Sequence, residues 1–319
     1  MVEQRQQGPT LYIASLSAVL PHILRQQGNK PVRDLLRKEA ADVRIFGHDD
    51  RVRTFCLKQL ETVNAAIIAE YRRQGEEHFR NGRHEDARRA YRTLIAEYAG
   101  TDAAKFAASK LFDIADLLAS KHRKEGDIRF HWAMRDYSQA LAAYQKATAE
   151  MGDISPLWSS LSRQEQQKAQ GVKAYLGVRI GECLRNLGRE SEAVQQLQDV
   201  MQTMQQDKLP DLQGTLAEGI YQLALTLGGN LPSQTKTKDQ RLLSIPLLQQ
   251  VVDIYPTSEW ADDAQYMIGA MYYAAGENEK AKQAFEELLR KFPNCNSVKS
   301  AKRRVEELSS QVNPKDGKG

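Results

Sequence analysis

A pattern of small and bulky residues recurs at fixed spacing along this chain, and it limits the folds that the chain can adopt. In residues 262 to 293 the pattern consists of Gly269, Gly276, Ala281, Phe285 and Leu288. The same positions are filled in residues 68 to 101 by Gly75, Gly82, Ala87, Tyr91 and Leu94, and in residues 174 to 207 by Gly181, Gly188, Ala193, Leu197 and Val200. Small residues let two antiparallel helices touch, a glycine turns the chain between them, and bulky residues fill the space beside the contact. The spacing therefore predicts repeated helix–turn–helix units.

This pattern, closed in its best copy by Pro293, resembles the tetratricopeptide repeat (TPR). The resemblance implies an all-α solenoid of about five repeats over residues 68–293, acting as a binding and scaffolding device. Two of the five units are weaker and are expected to carry insertions at their turns. One pairs a helix near 103–122 with a helix bearing Ala140, Tyr144 and Ala147, with excess residues at 123–131. The other pairs 215–228 with 240–255, with excess residues at 229–238.

The two ends of the chain do not follow the repeat. Residues 1–67 are expected to form two or three helices that cap the first repeat, or alternatively a docking segment for a partner. Their most apolar stretch, 11–24, is broken by Pro21 and is shorter than the roughly 20 residues that span a bilayer. At the other end, Val298, Ala301, Val305 and Leu308 lie on one side of a predicted capping helix at 294–311, and residues 312–319 are expected to be a disordered tail.

Composition excludes several classes of protein. With 41% hydrophobic and 27% charged residues and a net charge of +4, the chain reads as a soluble helical protein without a surface that demands a nucleic acid. The densest basic stretch, residues 72–92, has acidic residues mixed in at helical spacing, which is typical of a solvated face. No signal peptide is recognised, so the sequence favours a cytoplasmic location, with the periplasm or cell envelope as the alternative.

Catalytic and metal-binding patterns are nearly absent, so we expect a non-enzymatic protein without a cofactor. Cys56, Cys183 and Cys295 are far apart and form no metal-ligand pair. His48, followed by Asp49 and Asp50, has the order of a metal-dependent phosphohydrolase pair, but the spacing fits a loop whose aspartate caps the next helix. An enzyme with its site in the N-terminal helices is the weaker alternative.

If catalysis is absent, function is expected in the inner groove, which the first helix of each repeat would line. The side chains predicted to bind a protein partner there are Tyr221, Tyr266, Tyr273, Phe112, Arg185, Glu76, Asp116 and Glu182. Exposed tyrosines would anchor an apolar or aromatic segment, whereas the three carboxylates would attract its basic portion. Alternatively, Tyr221 and Tyr266 pack against the neighbouring repeat and take no part in binding.

Residues 255–266, which run from Tyr255-Pro256-Thr257 to Tyr266, are similar to the linker of bacterial cell-envelope TPR proteins, namely outer-membrane assembly lipoproteins and Tol-Pal coordinators. A second such linker begins at Phe292-Pro293. The resemblance implies a scaffold that assembles a bacterial multiprotein complex. The alternatives are an integral structural subunit of a large complex, or an oligomer of this chain.

Overall fold

The computed structural model describes residues 2–41, 50–131, 133–207, 212–229 and 236–312, and these residues are helical apart from short turns. The fold is all-α, as the sequence predicts. The α-helices are α1 Val2–Gln27, α2 Asn29–Ala41, α3 Asp50–Arg80, α4 His84–Glu97, α5 Asp102–Phe130, α6 Tyr137–Gly152, α7 Arg163–Asn186, α8 Glu190–Asp207, α9 Gln213–Gly228, α10 Lys238–Ile254, α11 Ala261–Ala274, α12 Asn278–Lys291 and α13 Val298–Val312, and a short 3-10 helix spans Ser155–Ser160.

The chain divides into two compact units, the first formed by the residues up to Ile114 together with Ser159–Leu161 and the second by the remaining residues, so the main division falls inside α5. In the first unit α2 packs on α3 and α3 packs on α4. Arg33 of α2 donates a 2.6 Å hydrogen bond to Glu97 of α4, so an ion pair also joins these helices. Helix α3 passes without a break through residue 67, where the sequence places the start of the repeats.

In the second unit each helix packs on the next, from α6 to α13. The first helices of consecutive pairs also contact each other directly, α7 with α9 and α9 with α11. This combination of contacts is that of stacked helical hairpins, in which each repeat buries its apolar face against its neighbours.

In five helix pairs of the described residues, a glycine on the first helix lies against a side chain at the equivalent position of the second helix. The pairs are Gly75–Tyr91, Gly126–Tyr144, Gly181–Leu197, Gly228–Ser244 and Gly269–Phe285. A Cβ atom added at Gly75 or Gly126 would lie 2.5 Å from a tyrosine ring atom, and one at Gly181 or Gly269 would lie 2.6 Å from its neighbour. Only glycine lets the helices approach this closely, so the contact defines the register of the five repeats.

Three of the turns share one backbone conformation. Gly82, Gly188 and Gly276 have φ of +71°, +75° and +78°, a region that other residues rarely adopt. The residue after each glycine donates a backbone hydrogen bond to a carbonyl five residues earlier, and the glycine itself donates to a carbonyl three residues earlier. These are Schellman-type helix ends, and they confirm the three turns that the sequence predicts.

The second and fourth repeats differ from the sequence prediction. Helix α5 continues to Phe130, so residues 123–130 extend the first helix and are not an insertion at the turn. Its repeat-defining glycine is therefore Gly126, and in α9 it is Gly228. Most of the predicted insertion at 229–238, and the C-terminal tail beyond residue 312, lie outside the described residues.

Helix α13 covers the last helix pair, as predicted. Ala301 and Leu308 are fully buried, and Val305 packs against the same cluster, which contains Phe285 and Leu288. The apolar side of α13 thus closes the end of the stack. Within the described residues, no helix combines the length and apolar character needed to cross a bilayer.

Candidate functional site

The surface formed by the first helices of the second unit carries a connected set of polar contacts. We call it the first-helix surface. Its members come from the second half of α5, from α7, α9 and α11, and they are Arg123, Asp127, Tyr175, Arg179, Glu182, Arg185, Glu218, Gln222, Asp263, Tyr266 and Tyr273. Direct packing of α7 on α9 and of α9 on α11 brings these side chains together.

Asp127 joins two helices through tyrosine hydroxyls. Tyr144 of α6 and Tyr175 of α7 each donate a 2.8 Å hydrogen bond to Asp127 Oδ1. Burial raises the pKa of Tyr175 to about 12; Arg179 opposes the rise and the hydrogen bond to Asp127 adds to it. The pKa of Tyr144 is also raised, first by burial and then by Asp127. Both phenols therefore stay protonated and act as hydrogen-bond donors at neutral pH.

Arg179 of α7 is the centre of a buried network. It donates a short hydrogen bond to Glu182 one turn further along α7, and its Nη2 lies 2.9 Å from Oε1 of Glu218 on α9. The contact with Glu218 is an ion pair without the alignment of a hydrogen bond. The guanidinium also stacks on the Phe130 ring at 5.6 Å and on the Tyr175 ring at 5.2 Å. One cation thus serves two carboxylates and two aromatic rings.

Gln222 extends this network on α9. Its Nε2 donates a 2.6 Å hydrogen bond to Glu182 Oε1, so that Glu182 receives a donor from each helix. Burial alone would lower the pKa of Arg179, but the Glu182 and Glu218 carboxylates together raise it, and the guanidinium stays charged. The network fixes α7 against α9 by buried polar contacts rather than by apolar packing alone.

Glu218 is the titratable member of the network. Burial raises its pKa to about 7; Arg179 opposes the rise, and Glu182 and Glu259 add to it. The folded chain therefore holds a proton on Glu218 that the unfolded chain releases near pH 4.5. Since the folded state binds more protons between these two values, stability must fall as pH rises from about 4.5 to about 7.

Replacing Glu218 by glutamine is expected to remove this part of the pH dependence. The parent should lose on the order of 1 to 3 kcal/mol of unfolding free energy across the window, and Glu218→Gln should lose less. Urea denaturation at pH 5, 6, 7 and 8 measures the difference. The exposed Glu286→Gln variant should follow the parent curve. A parent curve and a Glu218→Gln curve of equal slope would show that Glu218 titrates normally in the folded chain.

The remaining aromatic and acidic residues lie on α9 and α11. Tyr221 is only 9% exposed, and its ring lies 5.2 Å from that of Trp260. Burial raises the pKa of Asp263, and Asp262 adds to the rise. Arg185 of α7 lies near the same end, where burial lowers its pKa. This end of the surface therefore holds charges that are partly withdrawn from water.

Two half-buried tyrosines of α11 carry the aromatic character of the surface. The Tyr266 ring lies 5.5 Å from the buried Phe285 ring, and Tyr273 is stacked under the Arg304 guanidinium of α13 at 4.6 Å. Each ring has one side fixed by the protein and part of its area in solvent. Such rings are ready to bury a partner at low cost in conformational entropy.

The structure places the predicted groove residues in three different environments. Phe112 and Tyr221 are buried, 3% and 9% exposed, and partner binding by them stays a prediction. Glu182 is also buried, and it forms an ion pair with Arg179 and accepts a hydrogen bond from Gln222. Their burial favours the alternative of packing between repeats for Tyr221.

The other predicted residues are accessible to different degrees. Asp116 is half-buried and accepts a 2.8 Å hydrogen bond from Lys168 of α7, so its charge is compensated. Glu76 is exposed and lies 3.9 Å from Arg80 in the first unit. Tyr266, Tyr273 and Arg185 are half-buried on the first-helix surface. Partner binding by any of these residues stays a prediction.

The sequence prediction missed the residues that organise the surface: Asp127, Tyr175, Arg179 and Glu218. With Gly126 as the repeat glycine, Asp127 takes the position of Glu76 and Glu182, a place that the prediction gave to Asp116. A signal for Glu218 was available, because it is the one charged residue in the mostly apolar helix α9. A single charge in such a helix indicates a buried partner on a neighbouring helix.

The described residues do not form a metal-binding group. In the described part of the chain, no three His, Cys, Asp or Glu side chains are grouped as metal ligands would be. His48 and Asp49, the pair considered in the sequence, lie outside the described residues. Cys56 and Cys183 are buried thiols whose pKa is raised by burial, Cys183 to about 12, and Cys295 is half-buried.

Two segments of the chain match models of a known repeat. Residues 72–126 and residues 263–294 match models of the tetratricopeptide repeat. The first match ends at Gly126, the glycine that the structure assigns to the second repeat. Among solved structures, the chain is similar to the crystal structure of the P58(IPK) TPR domain at 2.5 Å, with 12% identity, coverage of 95% of this chain and 81% of that chain, and a TM-score of 0.35. No curated protein matches the sequence.

Proposed function

We propose that this chain is a non-catalytic scaffold that holds protein partners on the first-helix surface. The observation that carries the proposal is the preorganisation of that surface. Tyr273 is held under Arg304, and Tyr175 is held by its hydrogen bond to Asp127, before a partner arrives. Side chains that are already ordered lose little entropy on binding, so they make effective anchors. Tetratricopeptide repeats in general bind proteins, which agrees with this role.

More specifically, we propose that the chain takes part in the assembly of a bacterial multiprotein complex. Its support is the similarity of residues 255–266 to the linker of cell-envelope TPR proteins. In the structure this segment connects α10 to α11 and places Trp260 against Tyr221. It therefore serves the packing of consecutive repeats, whichever complex the chain joins.

Affinity capture tests the proposal. The full chain, used as bait in a lysate of its source organism, is expected to retain specific proteins that the double variant Tyr175→Ala/Tyr273→Ala retains at least tenfold less well. Leu243→Ala is the matched control, because Leu243 is an exposed apolar residue, 70% exposed, on the second helix α10. It should retain the same proteins as the parent.

Thermal melting of both variants separates loss of binding from loss of folding. The proposal would be contradicted if the folded Tyr175→Ala/Tyr273→Ala variant captured as much protein as the parent while Leu243→Ala lost capture. That result would place the partner on the second helices. A bait that enriches no protein would contradict the scaffold role itself.

A further inference from the structure

One face of α5 carries an open groove that the contacts described above do not fill. Its volume is about 600 Å³, and it is lined mainly by α5 together with Met134 of the following turn. Leu117, Lys121, Lys124 and Ile128 follow one another at four-, three- and four-residue steps, which places them on one side of the helix. We call this set, with Arg129 and Met134, the α5 face.

The apolar part of the α5 face is open to solvent. Leu117, Ile128 and Met134 are 48%, 64% and 52% exposed, and they are among the most exposed large apolar residues of the described chain. Single exposed apolar residues are ordinary on a protein surface, whereas several beside one groove mark an interaction site. The groove volume also lies within the roughly 300–1,000 Å³ of ordinary binding clefts.

The charges of the α5 face are unbalanced. Lys121, Lys124 and Arg129 border the groove, and in the described part of the chain none of their side chains has an ion pair or hydrogen bond. Glu125 is the one carboxylate among the described residues of the lining. Two acidic residues of the same helix contact other elements: Asp116 pairs with Lys168, and Asp127 accepts hydrogen bonds from two tyrosines.

We infer that the α5 face binds an acidic amphipathic helix of a protein partner. The partner's apolar residues, spaced three and four apart, would cover Leu117, Ile128 and Met134, while its carboxylates pair with Lys121, Lys124 and Arg129. The inference rests on the proposed scaffold function and specifies its partner. It reverses the charge expected from the sequence, because Asp116 and Glu182, predicted to attract a basic segment, are paired within the protein.

The composition of the groove favours a protein helix over a nucleic acid. Among the lining residues that the structure describes there are aliphatic side chains and no aromatic ring on which a base could stack. A helical face also offers no unpaired backbone groups, so an added strand would gain no backbone hydrogen bonds there. Aliphatic contacts flanked by cations fit the apolar stripe and acidic flanks of an amphipathic helix.

Two synthetic peptides test the inference on the full chain. Both have about 20 residues, enough to populate a helix, with leucines at three- and four-residue steps. One carries glutamate at its remaining positions near the stripe, and the other carries lysine at the same positions. Fluorescence anisotropy should show binding of the glutamate peptide and at least tenfold weaker binding of the lysine peptide.

Variants of the α5 face locate the binding. Lys121→Glu/Lys124→Glu should weaken binding of the glutamate peptide about tenfold or more and should strengthen binding of the lysine peptide. Ile128→Ser should weaken binding of the glutamate peptide without changing net charge. Lys58→Glu/Lys302→Glu is the matched control, because it changes net charge equally at two exposed lysines on α3 and α13 and should leave binding unchanged.

Four results would overturn the inference: no binding of the glutamate peptide, preference for the lysine peptide, equal weakening in the control variant, and equal affinity for a single-stranded DNA of the same charge. The last two would indicate non-specific attraction of anions. The proposed function is tested separately by affinity capture. A chain that captures partners but rejects the glutamate peptide keeps its scaffold role and loses only the acidic partner.

Discussion

Replacement of Arg179 by alanine is expected to lower the free energy of unfolding by about 3 kcal/mol at pH 8. Arg179 is the one cation in contact with both Glu182 and Glu218, whose side chains are only 8% and 7% exposed. Without it, two carboxylates would share a site of low polarity. Protonation of Glu218 would relieve part of this cost, and it becomes less favourable as the pH rises, so the measurement is made at pH 8 rather than at neutral pH.

Urea denaturation, followed by circular dichroism in the helix band at about 222 nm, measures this loss of unfolding free energy. The matched control is Arg189→Ala, which removes an ion pair to Glu192 whose side chains are 45% and 58% exposed. That variant should change stability by about 0 to 1 kcal/mol. Equal effects of the two substitutions would show that the Arg179 network contributes no more than a surface ion pair.

A methyl group at Gly269 is expected to destabilise the last repeat by about 1 to 3 kcal/mol. The added Cβ atom would lie 2.6 Å from Cε1 of Phe285, and Phe285 is only 1% exposed and so cannot swing away. In an open helix the same substitution stabilises by up to about 1 kcal/mol. The sign of the effect therefore reports whether the helix contact is present.

Two further variants make this test specific. Gly214→Ala on α9, where an added Cβ would meet nothing within 4 Å, should leave stability unchanged or raise it. Gly269→Ala/Phe285→Leu should be less destabilised than the sum of its two single variants, because leucine lacks the ring atoms that clash. Strict additivity, or a Gly269→Ala variant as stable as the parent, would contradict the contact.

The parts of the fold that the sequence predicts are those specified by local chemistry. Gly82, Gly188 and Gly276 are identified because a positive φ favours glycine, and the three repeats that contain them are found in the correct register. The capping residues of α13 are also predicted, since an apolar stripe with helical spacing indicates a buried face. These signals lie within a single helix pair and need no knowledge of neighbouring repeats.

Such local signals do not predict the second and fourth repeats correctly. In the second, charged residues after Lys121 read as a loop, but the structure uses them to lengthen α5, and two more residues separate Gly126 from Tyr144 than in the other pairs. In the fourth, Ser244 stands where a large residue is expected, and Pro246 lies inside α10. Packing between neighbouring helices compensates for both departures.

The candidate site was predicted less well for a related reason. A tyrosine or glutamate that faces a groove has the same periodicity along the chain as one that is buried between two first helices. Tyr221 and Glu182 are examples of the buried kind. Whether such a residue is exposed or buried depends on the next repeat. Gln222 contacts Glu182 and Trp260 contacts Tyr221, and each of these partners follows later in the chain. Helical periodicity predicts the face of the helix on which a residue lies, whereas the exposure of that residue is known only from the packing of neighbouring repeats.

Site-specific photo-cross-linking tests the central claim, that partners are held on the first-helix surface, most directly. A benzophenone amino acid is placed at Tyr273 on α11 in one version of the full chain and at Leu243 on the second helix α10 in another. After affinity capture and irradiation, we expect the captured protein to be attached at position 273 and not at position 243. Attachment at position 243 alone, with both versions folded, would contradict the claim.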